Sequence, residues 1–206
     1  MVTNKKNSAL AIGIIALVSV SIQFYLMIEN RVSSIPETII RFFSFFTIVT
    51  NLIVGVYFTL LYFNYKKNST SLFQKPEILT AITVYITIVG LVYQFALRHL
   101  WEPEGLQKII DESLHSIIPL LVIVYWYFYE NKKSIQYKSC IQWLIYPMMY
   151  LVYILIRGAF SNFYPYPFVN VINLGFQKVM VNSLILIVLF FFIAVLFVKM
   201  GRIINK

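Results

Sequence analysis

Residues 41–51 read RFFSFFTIVTN, a stretch that sets four phenylalanines among hydroxyl and amide side chains. Phenylalanine at this density is typical of a segment that crosses a membrane. In an α-helix, at about 100° per residue, Ser44, Thr47 and Asn51 fall within one arc of roughly 60°, and Gly55 continues that arc by one turn. The stretch therefore predicts a membrane helix that turns one polar, small-residue face toward the interior of a helical bundle.

The composition of the whole chain is that of a membrane protein. Of its 206 residues, 60% are hydrophobic, 17% are aromatic and 12% are charged, and the mean hydropathy is +0.77. A soluble domain carries about 25% charged residues. The net charge of +9 does not indicate nucleic-acid binding, because no basic stripe alternates with exposed aromatic residues. Cys140 is the one cysteine, which excludes an internal disulfide and a metal site built on several thiolates.

Six segments are long and apolar enough to cross a bilayer, which takes about 20 residues of helix. The predicted spans are 8–28, 38–63, 78–97, 110–129, 140–160 and 179–198. The connecting loops are short, no internal repeat is present, and no room is left for a second domain. We therefore predict an all-α polytopic membrane protein in which six transmembrane helices form one compact bundle and residues 1–206 form a single domain.

The basic residues predict the orientation of the spans. With the N-terminus in the cytoplasm, 11 of the 17 Lys and Arg residues lie on the inner side and 6 on the outer side. The outer ones are Arg31, Arg41, Arg98, Lys108, Arg157 and Lys178. Because cytoplasmic loops carry the excess of basic residues, we expect both termini to be cytoplasmic.

The segment DESLHSIIP places His115 four residues after Asp111 and three residues after Glu112. A carboxylate at either spacing reaches an imidazole on the same helix face and can orient its ring. Pro119 weakens the helix one turn later because it lacks the N–H donor. An ionisable residue inside a membrane span marks a functional site by default, although a wet and idle histidine at the headgroup level remains the simpler interpretation.

In the predicted orientation, Ser44, Thr47 and His115 lie in the outer half of the membrane, and Arg157 ends the fifth span on the same side. A hydroxyl beside a histidine is the minimal set for nucleophilic acyl transfer, because the imidazole takes the proton as the hydroxyl attacks. One of the two acids would act as the orienting third group. Asn51 or Arg157 would steady the oxyanion.

These residues are similar to those of a known family. The chain resembles the androgen-induced, androgen-dependent group of six-span membrane proteins and their bacterial relatives, from the second span onward. Three places carry the resemblance: RFFSFFT in the second span, LHSIIPLLVIV around His115, and Tyr150 followed by YPF at residues 166–168. Eukaryotic members hydrolyse fatty acid esters of hydroxy fatty acids with an intramembrane threonine and histidine.

The resemblance implies a lipid-ester hydrolase with His115 as the base and Thr47 or Ser44 as the nucleophile. Counting from the basic residue selects Ser44, whereas matching the residue type selects Thr47, which we favour. The substrate-binding residues are expected to be Asn51, Asp111, Glu112, Tyr150, Arg157 and Tyr166. The expected partners are membrane lipids and a lipid-ester substrate, with no cofactor and no metal, in a bacterial cytoplasmic membrane with the site toward the outer side.

Three other interpretations use the same residues. A non-catalytic lipid-binding or transport protein would use the same outer cavity, although no matched pair of interrupted spans indicates a transporter. A helical scaffold would use the hydroxyl groups as interhelical contacts. A metal enzyme would hold its ion through His115, Asp111 and Glu112.

Overall fold

The computed structural model describes residues 2–64, 75–100 and 102–204. Within these ranges every regular secondary-structure element is a helix, and no strand is present. Six helical segments are long and apolar enough to cross a membrane: Thr3–Glu29, Phe46–Phe63, Pro76–Leu100, Gly105–Tyr129, Lys138–Ser161 and Phe176–Ile204. The predicted all-α fold with six spans is confirmed. The first, third, fifth and sixth spans extend beyond the predicted bounds at both ends, whereas the fourth begins earlier than predicted and ends at Tyr129 as predicted.

The helices follow one another in a simple order along the chain. The regular α-helices are α1 (Val2–Glu29), α2 (Ile35–Phe43), α3 (Phe46–Phe63), α4 (Pro76–Val92), α5 (Gly105–Glu112), α6 (Ile118–Tyr129), α7 (Lys138–Trp143), α8 (Ile145–Ser161), α9 (Val171–Leu174) and α10 (Phe176–Ile204). Wider π-helical turns follow α4 and α5, and we call them the first π turn (Tyr93–Leu97) and the second π turn (Ser113–Ile117). Each turn lies within a span, so the third and fourth spans both change pitch partway through.

The second predicted span was wrong in one respect, because residues 38–63 do not form one continuous helix. α2 ends at Phe43, and Phe45 has an extended backbone (φ −81°, ψ 123°) before α3 begins. The hydroxyl of Ser44 donates to the carbonyl oxygen of Ile40 at 2.6 Å. This bond satisfies one carbonyl of the last turn of α2, but Ser21 makes the same bond to Leu17 within the continuous α1, so the extended backbone of Phe45 is what separates α2 from α3. Ser44 therefore lies at the break between α2 and α3, whereas Thr47 and Asn51 lie within α3. The three side chains do not share one continuous helix face as predicted.

The chain divides into two compact units, Met1–Lys132 and Lys133–Lys206. The prediction of a single domain over residues 1–206 stays a prediction. The first unit contains four spans, and its fully buried side chains include Phe58, Leu79, Ile86 and Trp126. The indole N–H of Trp126 donates to the hydroxyl of Thr80 at 2.8 Å, which ties α6 to α4.

Two glycines let α1 and α3 pack closely in the first unit. A Cβ added to Gly13 would lie 2.7 Å from the hydroxyl oxygen of Thr59, and one added to Gly55 would lie 2.7 Å from a methyl carbon of Leu17. Small residues of this kind allow membrane helices to approach one another. Gly55, which continues the polar face of the second span, thus serves helix packing.

The second unit consists of α7 to α10. Its buried cluster is formed by Ile154 of α8, Val179 of α10 and Val169 in the loop between them. Asn170 caps α9 because its side-chain oxygen accepts from the N–H groups of Ile172 and Asn173. Large apolar side chains are exposed along α8 and α10, among them Met149, Val152, Leu184 and Phe192. Exposed apolar surface on helices of this length is typical of lipid-facing segments.

Candidate functional site

His115 lies in the second π turn and is held by two neighbouring residues. Its Nδ1 atom lies 2.9 Å from the backbone carbonyl oxygen of Asp111 and 3.2 Å from the carboxylate oxygen Oδ1 of the same residue. The ring of Tyr93 stacks on the imidazole, with 4.2 Å between ring centroids and an angle of 13° between the planes. Two acceptors facing Nδ1 favour the tautomer that carries its proton there, which leaves Nε2 as the basic nitrogen.

Asp111 joins His115 to Tyr93. The hydroxyl of Tyr93 donates to Oδ2 of Asp111, while Oδ1 faces His115. Asp111 is buried, with 6% of its surface exposed. A buried carboxylate is stable only when hydrogen-bond donors satisfy it, and here each oxygen faces a polar partner.

Glu112 belongs to a different set of contacts. Its Oε1 atom accepts from the guanidinium of Arg98, and its Oε2 atom accepts from the hydroxyl of Ser116 at 2.7 Å. Gln94 closes the set, because it donates to Ser116 at 2.8 Å and accepts from Arg98 at 2.7 Å. Of the two acids left open by the sequence, Asp111 is therefore the one that contacts His115.

Asn51 connects α3 to the turn that carries His115. Its side-chain nitrogen donates to the carbonyl oxygens of Thr47 at 2.9 Å and of Leu114 at 3.2 Å. Because both amide hydrogens are directed at backbone carbonyls, Asn51 has none left to donate to an oxyanion, the role for which the sequence offered Asn51 or Arg157. The oxygen Oδ1 is buried and has no hydrogen-bond partner among the described residues. Asn51 thus offers a buried acceptor.

The two candidate nucleophiles are both buried, Ser44 fully and Thr47 with 7% of its surface exposed. Thr47 lies in the first turn of α3, and its carbonyl oxygen is bound by Asn51. Neither hydroxyl is hydrogen-bonded to His115, whose ring makes its hydrogen-bond and ion-pair contacts within the described residues to Asp111 alone. The hydrogen bond of Ser44 to Ile40 ties the Ser44 proton to its own helix.

Sequence reasoning missed the contribution of the third span. Tyr93, Gln94 and Arg98 all contact the fourth span near His115. The signal was a group of polar side chains in YQFALR, at the end of an otherwise apolar segment. Sequence reasoning also missed the contribution of α1. The hydroxyl oxygen of Ser19 lies 2.8 Å from the hydroxyl oxygen of Ser113, in the second π turn.

The remaining predicted residues belong to the second unit. Arg157 is 9% exposed, donates to the hydroxyl of Ser161 at 3.1 Å and lies 4.9 Å from the ring centroid of Phe163. The rings of Tyr166 and Phe168 stack at 5.2 Å, and both side chains pack against the buried cluster of this unit, as does Tyr150. That Tyr150, Arg157 and Tyr166 serve the same substrate as His115 stays a prediction.

No three His, Cys, Asp or Glu side chains in the described part of the chain come together in a group suited to a metal ion. His115 and Asp111 form a pair, and Glu112 faces Arg98 instead. The three side chains that the metal-enzyme interpretation groups together therefore do not converge on one point in the described part of the chain.

Comparison of the chain with protein-family models, with curated proteins and with solved structures found no match. The class that the fold defines is that of a polytopic helical membrane protein with six spans.

Proposed function

We propose that the protein is an intramembrane hydrolase of lipid esters in which His115 is the general base and Asp111 is its orienting acid. The observation that carries this proposal is the contact of the Asp111 carboxylate with Nδ1 of His115 inside a membrane span. A carboxylate behind an imidazole orients the ring and stabilises the imidazolium that forms when the ring takes a proton. An ionisable pair within a membrane span is costly in lipid and is typical of a functional site.

Thr47 is the preferred nucleophile of the proposed reaction. Ser44 lies at the break between α2 and α3, whereas Thr47 belongs to α3. The backbone carbonyl of Thr47 is joined through the side chain of Asn51 to Leu114, the residue before His115. The reaction requires the Thr47 hydroxyl to approach Nε2 to about 3 Å, and such contacts commonly tighten only when substrate binds.

The proposed reaction has two steps that use the same histidine. The oxygen of Thr47 attacks the ester carbonyl carbon while Nε2 of His115 takes its proton, and the leaving alcohol then receives that proton as the ester C–O bond breaks. Water attacks the resulting acyl-threonine with His115 again as base, which releases the fatty acid and restores the hydroxyl. The position of the pair within a span favours an apolar acyl substrate delivered from the membrane. A fatty acid ester of a hydroxy fatty acid is the substrate that the family resemblance suggests, and the bacterial cytoplasmic membrane with the site outward is the proposed location.

Purified protein in nanodiscs tests the proposal with a fatty acyl ester and a fluorophosphonate probe. We expect His115→Ala to lower hydrolysis by about 10²- to 10⁴-fold, the usual contribution of a positioned base, and to abolish labelling. Thr47→Ala should do the same, whereas Ser44→Ala should remain active. Full hydrolysis by a folded Ser44→Ala, Thr47→Ala double variant would refute the nucleophile assignment.

A non-catalytic lipid-binding or transport function is the second candidate. It is favoured by one observation, that neither candidate hydroxyl is hydrogen-bonded to His115. Such a protein would bind or move an intact lipid and would form no covalent adduct at Thr47 or Ser44. Uptake of an unhydrolysed ester into vesicles, together with an absence of probe labelling, distinguishes this function from the hydrolase.

A further inference from the structure

Tyr93 contacts both members of the proposed catalytic pair with one side chain. Its ring covers one face of the His115 imidazole, and its hydroxyl donates to the carboxylate of Asp111. Tyr93 is itself buried, with 4% of its surface exposed. A side chain that is buried and bonded at both its ring and its hydroxyl has little freedom to move.

The hydroxyl of Tyr93 decides how the Asp111 carboxylate is turned. The carboxylate presents Oδ1 to His115 only while Oδ2 points away, and the Tyr93 hydroxyl is the hydrogen-bond donor to Oδ2. Without that donor, a buried oxygen would lose its partner, and the carboxylate would rotate toward another one. The tyrosine hydroxyl therefore holds the carboxylate in the orientation that serves His115.

The ring of Tyr93 decides how the imidazole lies. An imidazole rotates readily about its terminal torsion, because such torsions have broad energy wells. A nearly parallel ring at 4.2 Å leaves no room for the imidazole to turn edge-on toward it. The helix also brings Tyr93 close, because Gly90, three residues earlier, packs against the carbonyl oxygen of His115.

We infer that Tyr93 is the positioning residue of this site: it holds the Asp111 carboxylate through its hydroxyl and the His115 ring through stacking. This inference rests on the proposed function, since the role of the residue is to keep Nε2 of His115 directed at the nucleophile. Tyr93 acts through Asp111 and His115 and takes no part in the transfer of the proton.

Two substitutions separate the two contacts. Tyr93→Phe keeps the ring and removes the hydroxyl, whereas Tyr93→Leu removes both. We expect Tyr93→Phe to lower kcat for the ester about 10-fold with KM unchanged, since a hydrogen bond to a charged group is worth roughly that factor. Tyr93→Leu should lower kcat further. Tyr127→Phe is the matched control, because Tyr127 is 44% exposed on α6 and should leave kcat unchanged.

Coupling to Asp111 distinguishes positioning from a general loss of packing. If Tyr93 acts through Asp111, Tyr93→Phe will cause no further loss of kcat in the Asp111→Asn background, because residues that act as a unit are strongly non-additive. Independent, multiplying losses would overturn the inference. So would a Tyr93→Phe variant with the kcat of the unsubstituted protein.

An NMR measurement tests the same inference without any activity. The chain has two histidines, so a His99→Gln protein labelled in histidine shows His115 alone. The stacked tyrosine ring should shift the His115 ring protons upfield in this protein and in its Tyr93→Phe derivative, and the shift should disappear in Tyr93→Leu. An unshifted His115 signal in the His99→Gln protein would refute the positioning role even if esters are hydrolysed. If the shift is present but no ester is hydrolysed, the proposed function fails while the placement of the His115 ring by Tyr93 stands.

Discussion

Gly90 of α4 packs directly against the carbonyl oxygen of His115. A Cβ added to Gly90 would lie 3.2 Å from that oxygen and 3.4 Å from the Cβ of Pro119. Neither neighbour is the end of a flexible side chain, because one is backbone and the other is part of a ring. The absence of a side chain at Gly90 therefore sets the distance between the third and fourth spans at the proposed site.

Enlarging Gly90 should push the two spans apart. We expect Gly90→Ala to destabilise the protein slightly and Gly90→Leu to cost about 1–3 kcal/mol, the usual range for overpacking, with loss of the His115 ring-current shift. Thermal unfolding in detergent measures the first effect and NMR the second. Gly13→Ala is the control, since it crowds Thr59 between α1 and α3 and should lower stability without changing the His115 signal. A Gly90→Leu protein with an unchanged melting temperature would contradict the close packing.

Asn51 should tolerate an apolar replacement better than a charged one. Asn51→Leu removes the hydrogen bonds to Thr47 and Leu114 together with the unsatisfied oxygen, and we expect a loss of about 1 kcal/mol, as for other interhelical hydrogen bonds in membranes. Asn51→Asp has the same shape but faces two carbonyl oxygens with an acceptor, so it should lower the melting temperature much more. Ser21→Ala, which removes a bond within α1 alone, is the control. Equal losses for Asp and Leu at position 51 would argue against these donor assignments.

The two acids next to His115 should differ in their effects on hydrolysis. Asp111→Asn keeps the backbone carbonyl that faces Nδ1 but removes the negative charge, and we expect hydrolysis to fall about 100-fold or more because the imidazolium is no longer stabilised. Glu112→Gln breaks an ion pair whose side chains are 48% and 28% exposed, and such pairs contribute about 0–1 kcal/mol. Its rate should therefore change less than about 10-fold. Steady-state assays of the two isosteric variants decide the assignment, and the reverse order would transfer the orienting role to Glu112.

Stability should depend on pH through Glu130, which follows α6 outside the spans. Burial raises the pKa of its carboxyl above the ordinary value of 4.5, although Lys5 and Lys132 act in the opposite direction. The folded protein therefore binds the Glu130 proton more tightly than the unfolded chain, and the stability that this proton provides is lost as pH rises above about 4.5 through the raised pKa. Glutamine carries no proton that it can lose in this pH range. The melting temperature of Glu130→Gln minus that of the unsubstituted protein should therefore become more positive as the pH rises from about 4.5. Glu102→Gln, in an exposed loop, should show no such trend, and a parallel trend for both variants would exclude this role of Glu130.

The predicted orientation can be tested by cysteine labelling. In a Cys140→Ser background, single cysteines replace Glu104, in the exposed loop between the third and fourth spans, or Ser134, in the exposed loop between the fourth and fifth. Because the basic residues predict cytoplasmic termini, an impermeant maleimide should label the Glu104→Cys variant in intact cells and the Ser134→Cys variant only after permeabilisation. The opposite pattern would invert the topology and place the His115 site on the inner side.

Apolar segment length is a local property of the sequence, and the six spans could be predicted from it because any helix in lipid must satisfy its own backbone over the full thickness of the membrane. The polar face with Thr47 and Asn51 could be predicted for the same kind of reason, since helical periodicity is fixed by the backbone. The break at Ser44 could not, because the same bond to a carbonyl four residues earlier also forms inside a continuous helix, as from Thr83 to Leu79, and only the extended backbone of Phe45 separates α2 from α3. Residue type alone does not distinguish a helical serine from one that ends a helix.

The sequence by itself determined the membrane fold, the number of spans and the presence of His115 beside two acids. Only the tertiary structure decided that Asp111 faces the imidazole while Glu112 faces Arg98. It also decided that Tyr93 of the third span contacts both His115 and Asp111. Spacing along one helix allows either acid to reach His115. The choice between the two acids depends on which side chains the third span brings to each carboxylate. The packing of Gly90 against the second π turn and the change of pitch at both π turns decide that pairing. Both are properties of the folded helices together rather than of either segment alone.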